Sequence, residues 1–307
     1  MSRPPDPSSV RIPGPWTHRE ISANGIRLHV AEAGTGPLVI LLHGFPEFWW
    51  SWRHQLPALA AAGMRAVAVD LRGYGDSDKP PRGYDLWTLS GDVAGLVRAL
   101  GERQADLVGQ DWGGVLGWTA AALHPRVVRS VTVLAAAHPR AMGQALLRDS
   151  AQRSAARYLA TFQVPWLPER DLARDDAVLV ENILRSGAGP RWRASSEFTA
   201  AARRYREAML IPAAAHCALE YYRWVRRSQF RFDGRRFSRA VDRVARVPVL
   251  QLHGADDPYV LERTARRSAR WAGNGYRYEV LPGVGHFVAQ EAPERTTALL
   301  TEFLRGR

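Results

Sequence analysis

The sequence predicts an α/β fold, a mostly parallel sheet with helices on both faces and a helical block inserted before the last strands. Three observations carry this. From Pro37 onward, short apolar or β-branched runs alternate with longer helix-like runs, the pattern of strands joined by crossover helices. The alternation stops near Pro139 and resumes near Val249. A gap of roughly a hundred residues is too long for a loop, and its Ala- and Arg-rich composition reads as helix. The 307 residues are long for one simple domain and short for two independent ones.

Residues 1–15 are rich in Pro and polar residues and are expected to form a loose arm. Thr17–Ile21 and Ile26–Glu32 read as short strands, and Asn24-Gly25 between them is a hairpin signal. Pro37–Leu42 is a continuous apolar run that suits a buried parallel strand. Trp52–Ala62 reads as helix stopped by Gly63, and Arg65–Asp70 as strand. Leu86–Leu100 reads as helix ended by Gly101, followed by strand Ala105–Gly109, helix Gly113–Leu123 and strand Ser130–Leu134. After the helical block come strand Val249–His253, a helix near Leu261–Trp271, strand Tyr276–Leu281 and a final helix to Arg307. The expected units are therefore the first part of the core (1–137), a helical cap (138–243) and the second part of the core (244–307).

Composition bounds the function classes. Hydrophobic residues make up 46% of the chain, ordinary for a globular protein. No apolar run approaches the roughly 18 residues of a membrane span, and the N-terminus lacks an apolar signal core. The expectation is a soluble, unexported, cytoplasmic protein. Cys217 is the only cysteine, so no internal disulfide can form. The formal charge is +12, and Lys79 is the only lysine among 42 basic residues. The arginines are scattered, with the nearest approach to a cluster between Arg203 and Arg239, and no run interleaves basic and aromatic residues as a strand-binding surface would. A solvated Arg-rich surface is the expected reading, with no nucleic-acid partner. No metal-ligand cluster, phosphate loop or dinucleotide fingerprint is present, so no cofactor is expected.

Three segments carry chemistry. Gly109-Gln110-Asp111-Trp112-Gly113-Gly114 joins a predicted strand to a predicted helix. Small residues two positions either side of a nucleophile allow a tight strained turn that lifts the central side chain above the sheet. Asp111 there also fits a plain helix N-cap; the presence and order of partner residues separates the two. His286 follows the last strand in Gly283-Val284-Gly285-His286, and Asp256 and Asp257 follow Val249–His253. One of the two carboxylates is expected to orient the imidazole. A carboxylate nucleophile is already anionic at neutral pH and can attack an sp³ carbon directly, leaving an ester to be hydrolysed. His286 would then be the general base on water.

These segments resemble an epoxide hydrolase of the α/β-hydrolase superfamily. His43-Gly44-Phe45-Pro46-Glu47-Phe48-Trp49-Trp50-Ser51-Trp52-Arg53 is similar to that family's oxyanion segment. Asp70-Leu71-Arg72-Gly73-Tyr74-Gly75-Asp76-Ser77-Asp78-Lys79-Pro80 matches a segment shared with dehalogenases. The resemblance implies Asp257 as the acid, since Gly254 plus three matches the family's Gly-x-x-Asp, with Asp256 the runner-up. It implies the backbone N–H groups of Phe45 and Trp112 as oxyanion donors. Two cap tyrosines are implied as the proton donors that ring opening needs: Tyr158, from a Tyr-x-x-x-Phe-Gln-x-Pro segment, and Tyr222 rather than Tyr221, from a Tyr-Arg pair. Phe45, Trp112, Tyr158 and Tyr222 would line the substrate. His43, Asp70, Asp76 and Asp78 are implied to be structural. Gln110 departs from the family, where His is frequent. The expected partners are a small epoxide and water, with no membrane insertion, in a monomer or homodimer.

Two other readings fit part of the pattern. A haloalkane dehalogenase uses the same Asp ester but needs N–H donors for halide. Trp112, Trp166, Trp192 and Trp224 are the tryptophans to consider, while Phe45 stands where those relatives often carry Asn. A noncatalytic ligand-binding protein on this fold is the alternative of another class. Asp in place of Ser at the elbow argues against an esterase.

Overall fold

The computed structural model describes residues 4–273 and 275–306 of the chain. Asn24 and Gly25 both take positive φ, 49° and 77°, as the tightest hairpin turns require. They join β1 (Thr17–Ala23) to β2 (Ile26–Ala33) as an antiparallel pair. β3 (Leu38–Leu42) is buried along its whole length. The helix expected from Trp52 starts only at Gln55. Trp49–Trp52 instead form a 3-10 turn that sinks Trp49, Ser51 and Trp52 into the core. α1 (Gln55–Ala61) then leads to β4 (Arg65–Val69). Asp85 caps α2 (Leu86–Ala99) by accepting the Thr88 N–H at 2.9 Å. β5 (Ala105–Gln110), α3 (Trp112–Leu123) and β6 (Val128–Leu134) complete the first part.

The segment after β6 is helical, as its composition predicts. It comprises α4 (Pro139–Arg148), α5 (Ser150–Ala155), α6 (Tyr158–Thr161), α7 (Leu167–Ala173) and α8 (Val178–Gly187). α9 (Pro190–Arg193), α10 (Ser196–Met209), α11 (Ala214–Ser228) and α12 (Phe232–Ala240) follow. The chain returns through β7 (Val249–Gly254), α13 (Glu262–Arg266) with a 3-10 turn to Trp271, and β8 (Tyr276–Leu281). It ends in the short α14 (Val288–Glu291) and in α15 (Pro293–Arg305). Arg307, to which the last helix was expected to run, lies outside the described residues.

Among the described residues the strands form one sheet in the order β1-β2-β4-β3-β5-β6-β7-β8. Pairing is parallel from β4 through β8 and antiparallel for β1–β2 and β2–β4. The chain moves from β3 outward to β4, then back past β3 to β5. Right-handed crossovers therefore put α1 and α2 on opposite faces. Both faces are covered, which is why β3, β5 and β7 are buried at every position. No helix among the described residues is long and apolar enough to cross a membrane.

The expected loose arm needs correction. Asp6 caps a 3-10 turn at Pro7–Val10, Val10 is buried, and its carbonyl accepts the Trp49 indole N–H at 2.8 Å. The polar composition concealed one apolar anchor. Met1–Arg3 of that arm lie outside the described residues.

Asp70, at the end of β4, is fully buried. It accepts the Trp49 N–H at 2.9 Å and the Asp76 N–H at 3.0 Å, and it lies 2.7 Å from His29 Nδ1. Burial pushes its carboxyl up, but His29, His43 and these donors outweigh burial and hold it below the usual carboxylate value. Removing it would leave several buried donors unanswered. Asp70→Ala is expected to lower stability by about 3–5 kcal/mol, measured by urea unfolding; a loss under about 1 kcal/mol would show that the turn is held by something else.

Candidate active site

Parallel strands deliver their following loops to one edge of the sheet, where open α/β folds place ligands. Here β3 leads to Phe45, β5 to Asp111, β7 to Asp257 and β8 to His286. Asp111 sits at φ 48° and ψ −115°, a backbone region that side-chain-bearing residues rarely adopt. The turn survives because its neighbours lack side chains. A Cβ on Gly113 would lie 2.0 Å from the Leu42 carbonyl oxygen, and one on Gly109 would lie 2.1 Å from that of Gly113. Backbone bonds clamp the turn, with Asp111 N–H donating to Leu134 O and Gly113 N–H to His43 O, both at 3.0 Å.

Asp111 precedes α3 but its side chain does not cap it. Its Oδ2 instead accepts the Phe45 N–H at 3.0 Å, and the Trp112 N–H also favours the anion. Asp111 Oδ1 lies 3.8 Å from His286 Nε2. On the other side of the ring, His286 Nδ1 lies 2.9 Å from Asp257 Oδ2. Asp257 Oδ1 accepts the N–H groups of Tyr259 and Val260 at 2.8 and 3.1 Å. Asp257 is buried, whereas Asp256 is exposed and, among the described residues, only its backbone N–H is engaged, to Val284 O. Of the two carboxylates, Asp257 is the one brought to the imidazole.

The ionisation of this cluster follows from its neighbours. Burial opposes a charged His286, but Asp257, Asp111 and Glu47 outweigh it and push the imidazolium up to about 9. Burial raises the Asp111 carboxyl, against the pull of His286 and the Phe45 and Trp112 N–H groups. Burial also works against Asp257, yet His286 and the N–H donors hold it below the usual carboxylate value.

Tyr158 and Tyr222 converge from the inserted helices, their ring centres 6.1 Å apart. The Tyr222 ring lies 4.9 Å from Trp112 and 5.5 Å from Phe45. Burial first, then the Asp111 charge, raises both phenols above their ordinary value, so both keep their protons at neutral pH. Among the described residues the Tyr158 hydroxyl has no hydrogen-bond partner. Tyr221, one residue from Tyr222 and turned to another side of α11, donates its hydroxyl to Arg72 O at 2.8 Å. Trp192 packs on Phe198 and Phe287, Trp224 packs on Phe237, and Trp166 is exposed. Trp112 is the tryptophan beside Asp111. His43 is spent on packing: Nδ1 lies 2.8 Å from Gly44 O and Nε2 accepts the Leu71 N–H at 3.1 Å. Burial pushes it down to about 4, so it stays neutral.

Four residues near this centre carry no role in the sequence reading. Glu47 is buried, accepts the Gly44 N–H at 3.0 Å and the Gln290 amide at 2.7 Å, and is pushed by burial up to about 7. Its signal was a carboxylate stranded in the apolar run from Phe45 to Trp50. Glu291 accepts the N–H groups of Gly285 and Phe287, either side of His286, and that of Gly189 from the inserted helices. Gln110 donates to the His286 carbonyl at 2.6 Å. Tyr259 packs 5.1 Å from the His286 ring and donates to Ile183 O at 2.8 Å. These pairings join segments remote in sequence, and nothing local announces them. Among the described residues no group of His, Cys, Asp and Glu side chains could hold a metal ion.

The chain is similar in sequence and fold to known proteins. The family described as the alpha/beta hydrolase fold matches residues 37–293. Epoxide hydrolase A of Mycobacterium tuberculosis is 34% identical, over 95% of this chain and 98% of its own. AB hydrolase superfamily protein YfhM of Bacillus subtilis is 31% identical, over 94% of this chain and 97% of its own. The crystal structure of Epoxide Hydrolase A from Mycobacterium thermoresistibile superposes with a TM-score of 0.80 at 30% identity, covering 95% of this chain and 98% of that one.

The charge coupling can be tested directly. Because Asp111 is one of the groups raising His286, Asp111→Asn is expected to lower the imidazolium pKa below about 9, read by NMR titration of the imidazole. An unchanged value would show that the two groups do not sense each other. The stability that His286 contributes has the matching sign. It is fully present below the unfolded value of 6.5 and is lost as pH rises through about 9.

Proposed function

The chain belongs to the epoxide hydrolases of the α/β-hydrolase superfamily, and from that premise we propose that it opens epoxides to vicinal diols through a covalent ester on Asp111. The observation that supports this most is the Asp111 carboxylate itself. It is held on a strained turn with an N–H donor on one oxygen and the His286 imidazole near the other, below two protonated tyrosines.

In the first step Asp111 attacks an epoxide carbon and the ring C–O bond breaks. An alkoxide is a poor leaving group without a proton, and the Tyr158 and Tyr222 hydroxyls are the donors at hand. Esterification removes the Asp111 charge, one of the groups that raise His286. The imidazolium becomes more acidic and its proton, passed through solvent, restores the tyrosine. His286 is now neutral and is the base for the second step. It takes a proton from water, and the hydroxide attacks the ester carbonyl carbon. The resulting oxyanion meets the N–H groups of Phe45 and Trp112. Collapse breaks the acyl C–O bond, the imidazolium returns its proton to the departing oxygen, and the diol leaves; the Asp111 carboxyl so formed passes its proton to His286, which restores the carboxylate and the imidazolium. Asp257 holds the imidazole in orientation throughout. The inserted helices, 138–243, act in this scheme as a cap that brings both tyrosines over the nucleophile.

The test is diol formation from aryl and alkyl epoxides, beside halide release from chloro- and bromoalkanes. Asp111→Ala is expected to abolish diol formation, and Tyr158→Phe to slow ring opening by about tenfold to a hundredfold, the lower reach of general-acid effects because Tyr222 remains. Halide release without diol would move the chain to the dehalogenases and make the tyrosines structural.

A further inference from the structure

A feature remote from the chemistry at Asp111 lies at the junction of α11 and α12. Phe230 and Phe232 are 73% and 80% exposed. Single exposed apolar residues are unremarked in proteins, but a contiguous group marks a surface that meets something. Against the expectation from sequence, basic and aromatic residues do interleave here, in Phe230-Arg231-Phe232, and the group is set among cations. Arg226, Arg227, Arg231 and Arg235 are all exposed, and the Arg226 guanidinium lies 5.1 Å from the centre of the Phe230 ring. Arg227 is 3.6 Å from Glu220, while Arg226, Arg231 and Arg235 have no carboxylate partner among the described residues. The one acid in the turn, Asp233, is occupied in accepting the Gly234 N–H.

We propose that this face docks on an anionic lipid surface. Aromatic tips projecting from a cationic face suit the headgroup boundary, where the rings enter the apolar layer and the guanidiniums meet lipid phosphates and carboxylates. The charge rules against a second copy of the chain, because a twofold contact would set arginines against arginines. A nucleic acid would satisfy the charge, but the Arg226 guanidinium already lies over the Phe230 ring and leaves bases little to stack on, whereas acyl chains accept an aromatic tip from any side. α11 also carries Tyr222. On the reading of the site as an epoxide hydrolase, docking would set the substrate-binding region beside the phase in which apolar epoxides collect. The docking itself does not depend on that reading.

The experiment is flotation of the full chain with phosphatidylcholine vesicles containing roughly a third phosphatidylserine, beside pure phosphatidylcholine. Binding is expected to the anionic vesicles alone, and to fall steeply when salt is raised to about 0.5 M. Phe230→Ser with Phe232→Ser, and separately Arg231→Ser with Arg235→Ser, are each expected to weaken it about tenfold or more. Turnover of a water-soluble epoxide should stay unchanged in both, which also reports that the variants fold. Equal binding to neutral vesicles, no binding to anionic ones, or anionic binding indifferent to both pairs would overturn the proposal. Preferential capture of a single-stranded oligonucleotide over the anionic vesicles would overturn it in favour of nucleic acid.

Discussion

The site rests on one backbone constraint, the turn that holds Asp111 at positive φ between the ends of β5 and β3. Gly113 passes so close to Leu42 that the two strands and α3 share a single packing solution there. That closeness carries the Phe45 N–H to the carboxylate, at 3.0 Å. A relaxed turn would lower strain and swing the carboxylate away from its donor. The strain is tolerable because both faces of the sheet are covered and β5 is buried throughout, so the turn cannot relax without disturbing the core.

His286 is held by a different means, since the loop after β8 has no comparable strain at the residue itself. Glu291 gathers the two N–H groups that flank it, Gln110 takes hold of its carbonyl, and Asp257 meets its ring. All three partners lie in the α/β core, yet Glu291 also binds Gly189 from the inserted helices. A second link crosses the same boundary, where Tyr205 and Arg53 both donate to the Gln290 side-chain oxygen, whose amide then reaches Glu47. The position of the imidazole and the seating of the inserted helices are thus tied through shared buried acceptors. Buried acceptors that leave donors unanswered when removed make such ties costly to break.

The charge distribution separates inside from outside. The centre is rich in carboxylates, Asp257 and Glu47 buried and Asp111 and Glu291 partly so, balanced by one imidazolium and by backbone N–H donors. The net charge of +12 comes from arginines at the surface, many paired with Asp or Glu, such as Arg263 with Asp149 and Arg185 with Glu181. Exposed pairs of this kind contribute little to stability. The buried centre, poorly screened, is where charge has chemical consequence.

Much of the architecture was legible in the chain because hydrophobic period and turn residues are local signals. Asn24-Gly25 announced a hairpin, the apolar run to Leu42 a buried strand, and Gly63 and Gly101 the ends of helices. The order Asp111, Asp257, His286 was legible for a similar reason, since each stands just after a recognisable strand. The buried Val10 hid in a polar arm, and the 3-10 turn at Trp49–Trp52 hid in an apolar stretch that helix periodicity could also claim. What only the tertiary structure decided were the pairings across sequence: Gln110 with His286, Glu291 with Gly189, and Tyr205 with Gln290. The physical reason is that a strand or helix is dictated by neighbours a few residues away, whereas a hydrogen bond between distant segments depends on how whole elements pack. That packing is a property of the folded chain, not of any stretch of it.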